Sequence, residues 1–519
     1  MSLVRAAFRA ALFLFCMATA AIAQDVTLTS RDGDVEISGN LLGFDGEFYR
    51  VDTVYGELTV DGSGVLCDGP GCPNLENYVA RVTLSGAPVI GRVLMPALIE
   101  AFAIRNDYGL ERVSDDDRGV TFALSDGKSG RLIGEFTFRL TNTDEGFADL
   151  LANEADMVMS LREARQSEVR RAREAGLGDL DARGRSRVLA LDALVPVVAP
   201  SNPVQAITVP DLARVLAGGI DNWRDLGGPN APIAVHLRDA RSGLGQATVN
   251  RLLGPLRKPL VQSATRHEDT PSLIHAVTDD PFAIGVTSHS ETGNTWELAL
   301  KGDCGFALRA TRRAVKTEDY PLTAPLFLYM PARRFPKLVR EFLSYMRDPS
   351  AQLVIRRAGF VDQTPEEIEI NAQGDRFANA IARAGAEVGL GELQRMVKTL
   401  APLRRLTTTF RFEAGSARLD AQSRSNVRQL ARAMEVGLYD ARRLVFVGFS
   451  DGEGPAAANR DIALRRAQTV RDAVISTAET ANLTRIKMEV EAFGEAMPMA
   501  CDDSAWGRQV NRRVEVWVR

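Results

Sequence analysis

Residues 444–451 read Leu444-Val445-Phe446-Val447-Gly448-Phe449-Ser450-Asp451, an apolar run that ends in a polar turn. A short apolar run closed by Ser, Asp and Gly is typical of a buried strand that enters a turn. Small apolar residues then recur at helical spacing from Ala456 onward, which predicts a helix. This order places Asp451 just past the strand end and Arg466 inside the helix. A carboxylate and a guanidinium held apart in this way can bind the two ends of a zwitterion.

The residues around Asp451 follow a wider pattern. Asn459 comes eight residues after Asp451, Arg466 comes fifteen residues after it, and Asn511-Arg512-Arg513 stands near the C-terminus. This pattern resembles the OmpA-like peptidoglycan-binding domain, to which we assign residues 405–519. The resemblance implies that Asp451 and Arg466 bind the diaminopimelate of the peptidoglycan stem peptide, with Asn459 beside them. The His-Thr that usually precedes the Asp is Phe449-Ser450 here, so the fine geometry is expected to differ.

A plainer interpretation of the same residues stays open. Asp451 alone can shape an Asx turn, and Arg466 alone can be a solvated charge on a helix. Charge gives weak support to the wall-binding interpretation, because residues 401–519 hold 19 Lys and Arg against 15 Asp and Glu, a net charge of +4. The net charge of the whole chain is −4, so residues 1–400 carry a net charge of −8. A mildly basic domain suits an anionic polymer such as the cell wall, and nothing in the sequence indicates nucleic acid binding.

The first 23 residues have the features of a secretory signal peptide. Arg5 and Arg9 form the charged start, residues 10–18 form the apolar centre, and Ala21-Ile22-Ala23 gives the cleavage site. Cys16 follows Phe15, which is too bulky for a lipoprotein motif, so lipid anchoring is not expected. We therefore predict a periplasmic, peptidoglycan-associated protein, and association with the outer membrane stays open.

Four cysteines follow the predicted signal peptide. Cys67 and Cys72 flank an Asp-Gly-Pro-Gly turn, which predicts a disulfide in an oxidising compartment. A metal site at this position would need two further ligands, and the neighbouring sequence offers none. Cys304 and Cys501 fall in different predicted domains, so we assign them no pairing.

Residues 24–77 alternate short β-type runs with Asp-Gly turns and predict a small β-rich segment. Residues 78–361 alternate strand and helix patterns, which predicts an α/β domain. Three motifs in that domain resemble the periplasmic solute-binding proteins of the phosphate-importer type. They are Asn222-Trp223 with Leu226-Gly227-Gly228, Arg238 with Ser242-Gly243, and Asp280-Pro281 with Ile284-Gly285.

This second resemblance implies a type 2 periplasmic binding protein fold with two lobes. The lobes would be joined by crossing strands near residues 193–199 and 284–287, with the ligand between them. A helical connector at 362–404 would lead to the C-terminal α+β sandwich, since its apolar residues recur at helical spacing. The predicted fold class is therefore multidomain α/β.

Arg238 and Ser242 suggest the chemistry of the cleft. Ser242 and Gly243 are predicted at a helix N-terminus, where amide groups bind oxyanions, and Arg238 adds a positive charge. The resemblance assigns Arg238, Ser242 and Gly243 to a small anion, with a looser third contact from Ser160 and Arg162. The family's Thr after this Gly is Leu244 here, so one hydroxyl donor is missing. Phosphate, another small acid and an empty, purely structural pair of lobes all stay open.

The sequence does not predict an enzyme. Its four histidines lack the spacing of a zinc site, and it has neither a Gly-x-Ser-x-Gly elbow nor a phosphate loop. The acidic run at residues 115–117 would suit a wall-modifying enzyme, but a solvated loop explains it better. We expect no cofactor and no metal. The leading hypothesis is a peptidoglycan-docked protein with an anion-binding module that serves an importer or a sensor. The alternative is an envelope-assembly protein whose lobes form a partner surface.

Overall fold

The computed structural model of the protein describes residues 25–75, 78–116, 118–302, 307–385, 387–413, 416, 418–502 and 505–519. The predicted signal peptide at 1–23 and Cys304 lie outside these residues. Within the described ranges, we find no helix that combines the length and the apolar character needed to cross a membrane.

The N-terminal segment forms one antiparallel sheet around a small core of Val26, Leu28, Tyr49 and Val51. The strand order is β4-β3-β2-β1-β5, so the predicted β-rich segment is confirmed. The strands are β1 (Val26–Ser30), β2 (Glu36–Phe44), β3 (Phe48–Thr53), β4 (Gly56–Asp61) and β5 (Val65–Asp68).

Disulfide bonding confirms one prediction and extends another. Cys67 and Cys72 are linked, with their Cα atoms 5.8 Å apart. Cys501, to which the sequence assigned no pairing, is also disulfide-bonded, and its partner lies outside the described residues. The C-terminal domain packs on the second lobe at this point, because a Cβ added to Gly302 would lie 2.7 Å from the Cys501 Sγ. The assignment of Cys501 to a separate domain was therefore not a sound reason to assign it no disulfide partner.

The central domain is built on one continuous eleven-stranded sheet plus a short parallel pair, β12 and β17. The strands are β6 (Ala80–Gly86), β7 (Tyr108–Asp115), β8 (Gly119–Asp126), β9 (Leu132–Leu140), β10 (Met157–Ser160), β11 (Ser186–Val198), β12 (Ala206–Thr208), β13 (Ala234–Arg238), β14 (Thr265–His267), β15 (Ala283–Ser288), β16 (Trp296–Glu297), β17 (Ala299–Lys301) and β18 (Thr323–Tyr329). The α-helices are Met95–Arg105, Thr143–Leu151, Gln166–Glu174, Val209–Leu216, Gly243–Thr248, Thr270–Asp279, Arg312–Lys316, Lys337–Tyr345 and Pro349–Arg357. The π-helical turns Val89–Leu94 and Val249–Leu253 adjoin two of them.

Strand β11 joins the two lobes, as the first predicted crossing required. Its first half, up to Ala193, pairs with β18, and its second half, from Leu194, pairs with β15. The second predicted crossing, at 284–287, was wrong. Those residues form β15 inside the second lobe, and the chain returns to the first lobe at β18, which pairs with both β10 and β11. Both segments are short buried apolar strands, so the sequence pattern alone could not distinguish them.

The C-terminal domain contains a five-stranded sheet in the order β19-β20-β23-β21-β22. Its first strand comes from the predicted connector, so this part of the connector belongs to the sheet. The strands are β19 (Glu367–Ile368), β20 (Arg404–Arg411), β21 (Arg443–Phe449), β22 (Lys487–Gly494) and β23 (Arg513–Val518). The α-helices are Gly374–Ala382, Leu390–Leu400, Ala421–Glu435, Ala456–Thr477 and Ala505–Asn511.

Both faces of this sheet are covered, which explains the continuous apolar run in β21. Successive side chains of a strand point to opposite faces. Leu444 and Phe446 pack with the helices of residues 421–477, whereas Val445 and Val447 pack with the connector helices. The connector is ordered because it buries the second face of the sheet.

A buried set of charges joins the C-terminal sheet to the segment that precedes β18. The two Nη atoms of Arg405 donate to the two carboxylate oxygens of Asp319, at 2.5 and 2.9 Å. The Arg405 Nε lies 3.3 Å from a Glu515 oxygen, and Glu515 also contacts Arg376 and Arg513. Burial works to raise the pKa of the Glu515 carboxyl, but Arg376 and Arg405 hold it well below its usual range.

Glu318, next to Asp319, is a second buried acid at this junction. Burial raises its pKa to about 8 and the Asp420 charge adds to the shift, while Arg411 and Asn426 oppose it. The residue has a positive φ of 55°, a conformation that is uncommon outside glycine. Burial works to raise the pKa of Asp319 too, but Arg405 holds it below its usual range. Two adjacent acids at the domain junction, Glu318 and Asp319, therefore have pKa values shifted in opposite directions.

We predict that Arg405→Met destabilises the folded protein by about 3–5 kcal/mol, because it leaves Asp319 and Glu515 buried without their shared cation. Urea unfolding followed by tryptophan fluorescence measures the loss. Arg404→Met is the matched control on the same strand. Arg404 is 51% exposed in its side chain, so its substitution should cost less than about 1 kcal/mol. Equal losses in both variants would contradict the importance of the buried pair.

We predict that the contribution of Glu318 to stability falls as pH rises from its ordinary pKa of 4.5 to about 8. Over this range the unfolded chain releases the proton while the folded chain keeps it, so rising pH favours unfolding. Glu318→Gln should remove the effect and gain up to roughly 4 kcal/mol on wild type across the window, at 1.36 kcal/mol per pKa unit. Unfolding free energies at pH 5, 6.5 and 8 test this, with the exposed Glu174→Gln as control. A constant difference between Glu318→Gln and wild type would refute it.

Candidate functional site

Asp451 lies where β21 runs into the following turn, as the apolar run predicted, and only 8% of its surface is exposed. Its Oδ2 accepts a hydrogen bond from the Arg512 Nη1 at 2.5 Å. Arg512 belongs to the closing Asn511-Arg512-Arg513 motif, and its contact with Asp451 was not foreseen. The closing motif was the sequence signal for this contact. Strand β23 starts at Arg513 and runs antiparallel to β21, with Arg513 opposite Phe449, so Arg512 lies beside the end of β21.

Asn459 lies in the first turn of the helix Ala456–Thr477 and is 4% exposed. Its Nδ2 donates to Glu495 at 2.7 Å and to the Gly454 carbonyl at 3.3 Å. Asn459 therefore fixes the loop after Asp451 to the loop after β22. This is a positioning role for the turn.

Arg466 lies further along the same helix and is half-buried. Its guanidinium carbon is 5.4 Å from the centre of the Phe412 ring, a cation–π contact. Burial lowers its pKa, the Arg512 charge adds to this, and the Asp451 charge opposes it. Asp451 forms its ion pair with Arg512. Arg466 is influenced by the charges of both residues, but its close contact is with the Phe412 ring.

Phe449 and Ser450, which replace the usual His-Thr before Asp451, are both buried. Phe449 is fully buried, and the guanidinium carbon of Arg513 stacks 4.3 Å from its ring centre. Arg513 is bound in turn to Glu515. An aromatic ring at 449 therefore covers the buried charges on the connector side of the sheet, and Ser450 is 4% exposed beside it.

Asp502 and Asn511 brace the Asp451 turn from the other side. The amide of Gly452 donates to the Asp502 Oδ2 at 2.8 Å, and the Asn511 Nδ2 donates to the Asp502 Oδ1 at 2.9 Å. Asn511 is fully buried, which explains its place in the closing motif. Asp502 has no motif around it, so the sequence gave no signal for it.

The second candidate site is a cavity of about 720 Å³ between the two lobes. Arg238, Ser242 and Gly243 all line it, so the structure brings these three predicted residues together. Ser242 caps the helix Gly243–Thr248 by accepting from the Gly245 amide at 3.0 Å and donating to the Asp239 carbonyl at 2.7 Å. The helix start therefore faces the cleft, as expected.

Arg238, at the end of β13, is held by three acceptors of its own lobe. It donates to the Thr270 Oγ1 at 2.8 Å and to the carbonyls of Glu268 and His267 at 2.6 and 3.3 Å. A guanidinium has five N–H groups, so two are not used by these bonds. Burial lowers the pKa of Arg238, and Glu291 is the acid that opposes this most.

Ser160 and Arg162 do not join this group. Ser160 is fully buried and donates to the Arg162 carbonyl at 2.6 Å. Arg162 forms ion pairs with Asp144 at 2.5 Å and with Glu168 at 2.7 Å, and it lines a different cavity. Two carboxylates from neighbouring helices neutralise this arginine inside the first lobe.

Two acids in the cleft were missed by the sequence analysis. Asp192, on β11, accepts from the hydroxyls of Ser288 and Ser290, and burial raises its pKa. Burial also raises the pKa of Glu291, which accepts from the Thr270 Oγ1 at 3.1 Å. Neither acid lies in a recognisable motif, and only the fold brings them together opposite Arg238. The cleft thus combines cationic and acidic groups.

These features define a two-lobed binding protein fused to a sheet domain with a charged rim. Family models agree: residues 133–350 match the model described as PBP superfamily domain, and residues 411–512 match the OmpA family. The chain therefore carries a PBP superfamily domain followed by an OmpA family domain.

Individual relatives match part of the chain. The phosphate-binding protein PstS of Borreliella burgdorferi is 24% identical over 188 residues, which cover 35% of this chain and 67% of that protein. Protein SphX of Synechococcus elongatus is 28% identical over 237 residues, which cover 43% of this chain and 68% of that protein.

Solved structures match both parts. An ABC-type phosphate transport receptor from Vibrio cholerae is 21% identical with a TM-score of 0.41, over 54% of this chain and 99% of that chain. The peptidoglycan-associated lipoprotein from Burkholderia pseudomallei is 20% identical with a TM-score of 0.19, over 22% of this chain and 90% of that chain.

Proposed function

We propose that the protein docks non-covalently on peptidoglycan through its OmpA family domain and carries a periplasmic binding module for a small anion. The observation that carries the docking proposal is the rim beside the end of β21. There Asp451 and Arg466 supply opposite charges, and Asn459 braces the turn between them. The anion module would serve an importer or a sensor of the envelope.

Diaminopimelate suits this rim because it is a zwitterion whose ammonium and carboxylate need opposite partners. Arg466 is half-buried, and its guanidinium rests on Phe412 without forming the ion pair that Asp451 makes with Arg512. A ligand carboxylate would supply that missing anion. Asp451 would accept from the ligand ammonium while Arg512 holds it in place.

We predict that Asp451→Ala and Arg466→Ala each cost about 2–5 kcal/mol of binding to the wall, because each removes one end of the clasp and leaves the other charge unpaired. The measurement is co-sedimentation of the full chain with purified sacculi, after each variant is shown to be folded. Arg465→Ala is the matched control, since Arg465 is the exposed neighbour on the same helix.

The control also separates a clasp from general attraction. If Arg465→Ala and Arg466→Ala weaken pelleting equally, and salt removes binding of the wild type, the contact is only that of a basic surface with an anionic polymer. Failure of the wild type to pellet at all would overturn the docking proposal.

The proposal of an anion-binding module is based on the residues of the cleft between the lobes. Arg238 offers two N–H groups beyond its three bonds to the second lobe, and the helix that begins at Gly243 adds the favourable end of its dipole. Relatives named as phosphate-binding proteins support phosphate as the first ligand to test. The acids Asp192 and Glu291 favour an oxyanion that still carries a proton.

A second candidate function is a structural or assembly role in which the lobes bind a partner and no solute. It is favoured by a specific observation: Arg162 is neutralised by Asp144 and Glu168, and Arg238 is already tied to its own lobe. On this view both arginines stabilise their own lobes and neither is reserved for a solute.

We predict that Arg238→Ala weakens anion binding roughly ten- to a hundredfold, because one charge-assisted hydrogen bond contributes about 1.5–3 kcal/mol. Calorimetry of the full chain against phosphate, sulfate, a phosphonate and a dicarboxylate measures this. Arg241→Ala is the control from the same loop, with its side chain 89% exposed, and it should leave the affinity unchanged. No heat from the wild type with any of the four ligands would establish the second candidate.

A further inference from the structure

A cavity of about 420 Å³ lies where both lobes and the OmpA family domain meet. Its wall combines residues of the first lobe, the second lobe, the segment before β18 and the C-terminal domain. They include Glu163, Arg251, Glu318, Tyr320, Gln422 and Trp506. A ligand in this cavity would contact all three bodies. Gly243 also lines the anion cleft and Phe412 also contacts Arg466, but the charged groups of this cavity belong to neither of those sites.

One side of the cavity is rich in hydrogen-bond acceptors. The Oε1 of Gln422 has no hydrogen-bond partner among the described residues, although the residue is only 3% exposed. Its Nε2 is satisfied by Asn426 at 3.0 Å, so the free acceptor is the carbonyl oxygen. A buried acceptor without a donor is unfavourable, which indicates that a donor belongs there.

Two carboxylates strengthen the same side. Glu163 accepts from the Ala421 amide at 3.0 Å, and Asp420 accepts from the amide of Ser423 at 2.7 Å. Burial and the charge of Asp420 raise the pKa of Glu163, and burial raises that of Asp420. A positively charged donor placed between them would relieve this repulsion.

The second lobe supplies a cation that lacks an acidic partner. The Arg251 guanidinium donates to the Thr323 carbonyl, and no described carboxylate lies within ion-pair distance of it. Burial lowers its pKa, and only the more distant Glu318 opposes the shift. The other arginines of the wall are already held: Arg411 donates to the carbonyls of Glu318 and Val510, and Arg162 donates to its two acids.

The wall of the cavity also contains aromatic side chains. Tyr320, Phe327, Phe412 and Trp506 all line the cavity, and the Trp506 Nε1 is satisfied by the Pro321 carbonyl at 3.2 Å. Such a wall suits a short apolar chain between two polar ends.

We propose that this cavity is a binding site for a small zwitterion, whose ammonium contacts Glu163 and the free oxygen of Gln422 and whose carboxylate contacts Arg251. A ligand with only one charge would leave the opposite side of the cavity unsatisfied. The proposal stands independently of wall docking and of anion binding in the cleft.

Equilibrium binding to the full chain tests the proposal with three compounds of equal chain length: 5-aminopentanoate, 1,5-diaminopentane and glutarate. L-norvaline tests the α-amino acid form of the same chain length. At least one of the two zwitterions should bind saturably, and more tightly than both the diamine and glutarate.

Variants of the two sides should then behave in opposite ways. Arg251→Gln should weaken the zwitterion at least about tenfold and leave the diamine unweakened, since one charge-assisted hydrogen bond is lost. Glu163→Gln keeps the acceptor for Ala421, so it should fold, weaken the zwitterion by a similar factor and leave glutarate unweakened. Gln422→Leu should weaken whichever zwitterion binds the wild type. The exposed Arg170→Gln and Glu174→Gln are the charge-matched controls and should change nothing.

Several outcomes would overturn the proposal. The first is that neither zwitterion binds the wild type at millimolar concentration. The second is that the diamine or glutarate binds as tightly as the zwitterions, which would indicate a site for a single charge. The third is that binding is unaffected by Arg251→Gln and Glu163→Gln, which would place the ligand elsewhere.

Discussion

The bidentate pairing of Arg405 with Asp319 is the interaction on which the arrangement of this protein depends. Arg405 is 1% exposed, and it lies between an acid of the binding-protein domain and Glu515 of the C-terminal sheet. Buried charges lose their hydration and recover it only through well-placed partners. The two domains can therefore not slide past each other without leaving a charge in a dry environment, so one relative position is strongly preferred.

The location of this pairing has a consequence for the lobes. Asp319 and Glu318 lie just before β18, the strand through which the chain returns to the first lobe. Motion of one lobe against the other must change the backbone near such a return strand. The C-terminal domain is fixed at that point, and it also contacts the first lobe through Ala421 and Glu163. The C-terminal domain, which we expect to bind peptidoglycan, therefore also limits how the lobes can move.

Much of this fold was predictable because its signals are local. The apolar run before Asp451, the helical spacing after it and the cap at Ser242 depend on neighbouring residues alone. The missed features depend on contacts between distant segments. Arg162 was assigned to the cleft by the looser part of the family resemblance, but it pairs with Asp144 and Glu168, which come from helices whose packing the sequence does not state. The second crossing failed for a similar reason, since β15 and β18 have the same apolar character and differ only in their partners.

Phe412 connects two of the candidate sites in a way that no single motif suggests. One contact of its ring is the Arg466 guanidinium beside the Asp451 turn, and the ring also lines the cavity between the domains. The preceding residue, Arg411, donates to the Glu318 carbonyl beside the buried pair. Tight packing transmits small displacements, because interiors contain few voids that could absorb them. A displacement of Arg466 would therefore change the packing of Phe412, which also forms part of the cavity wall.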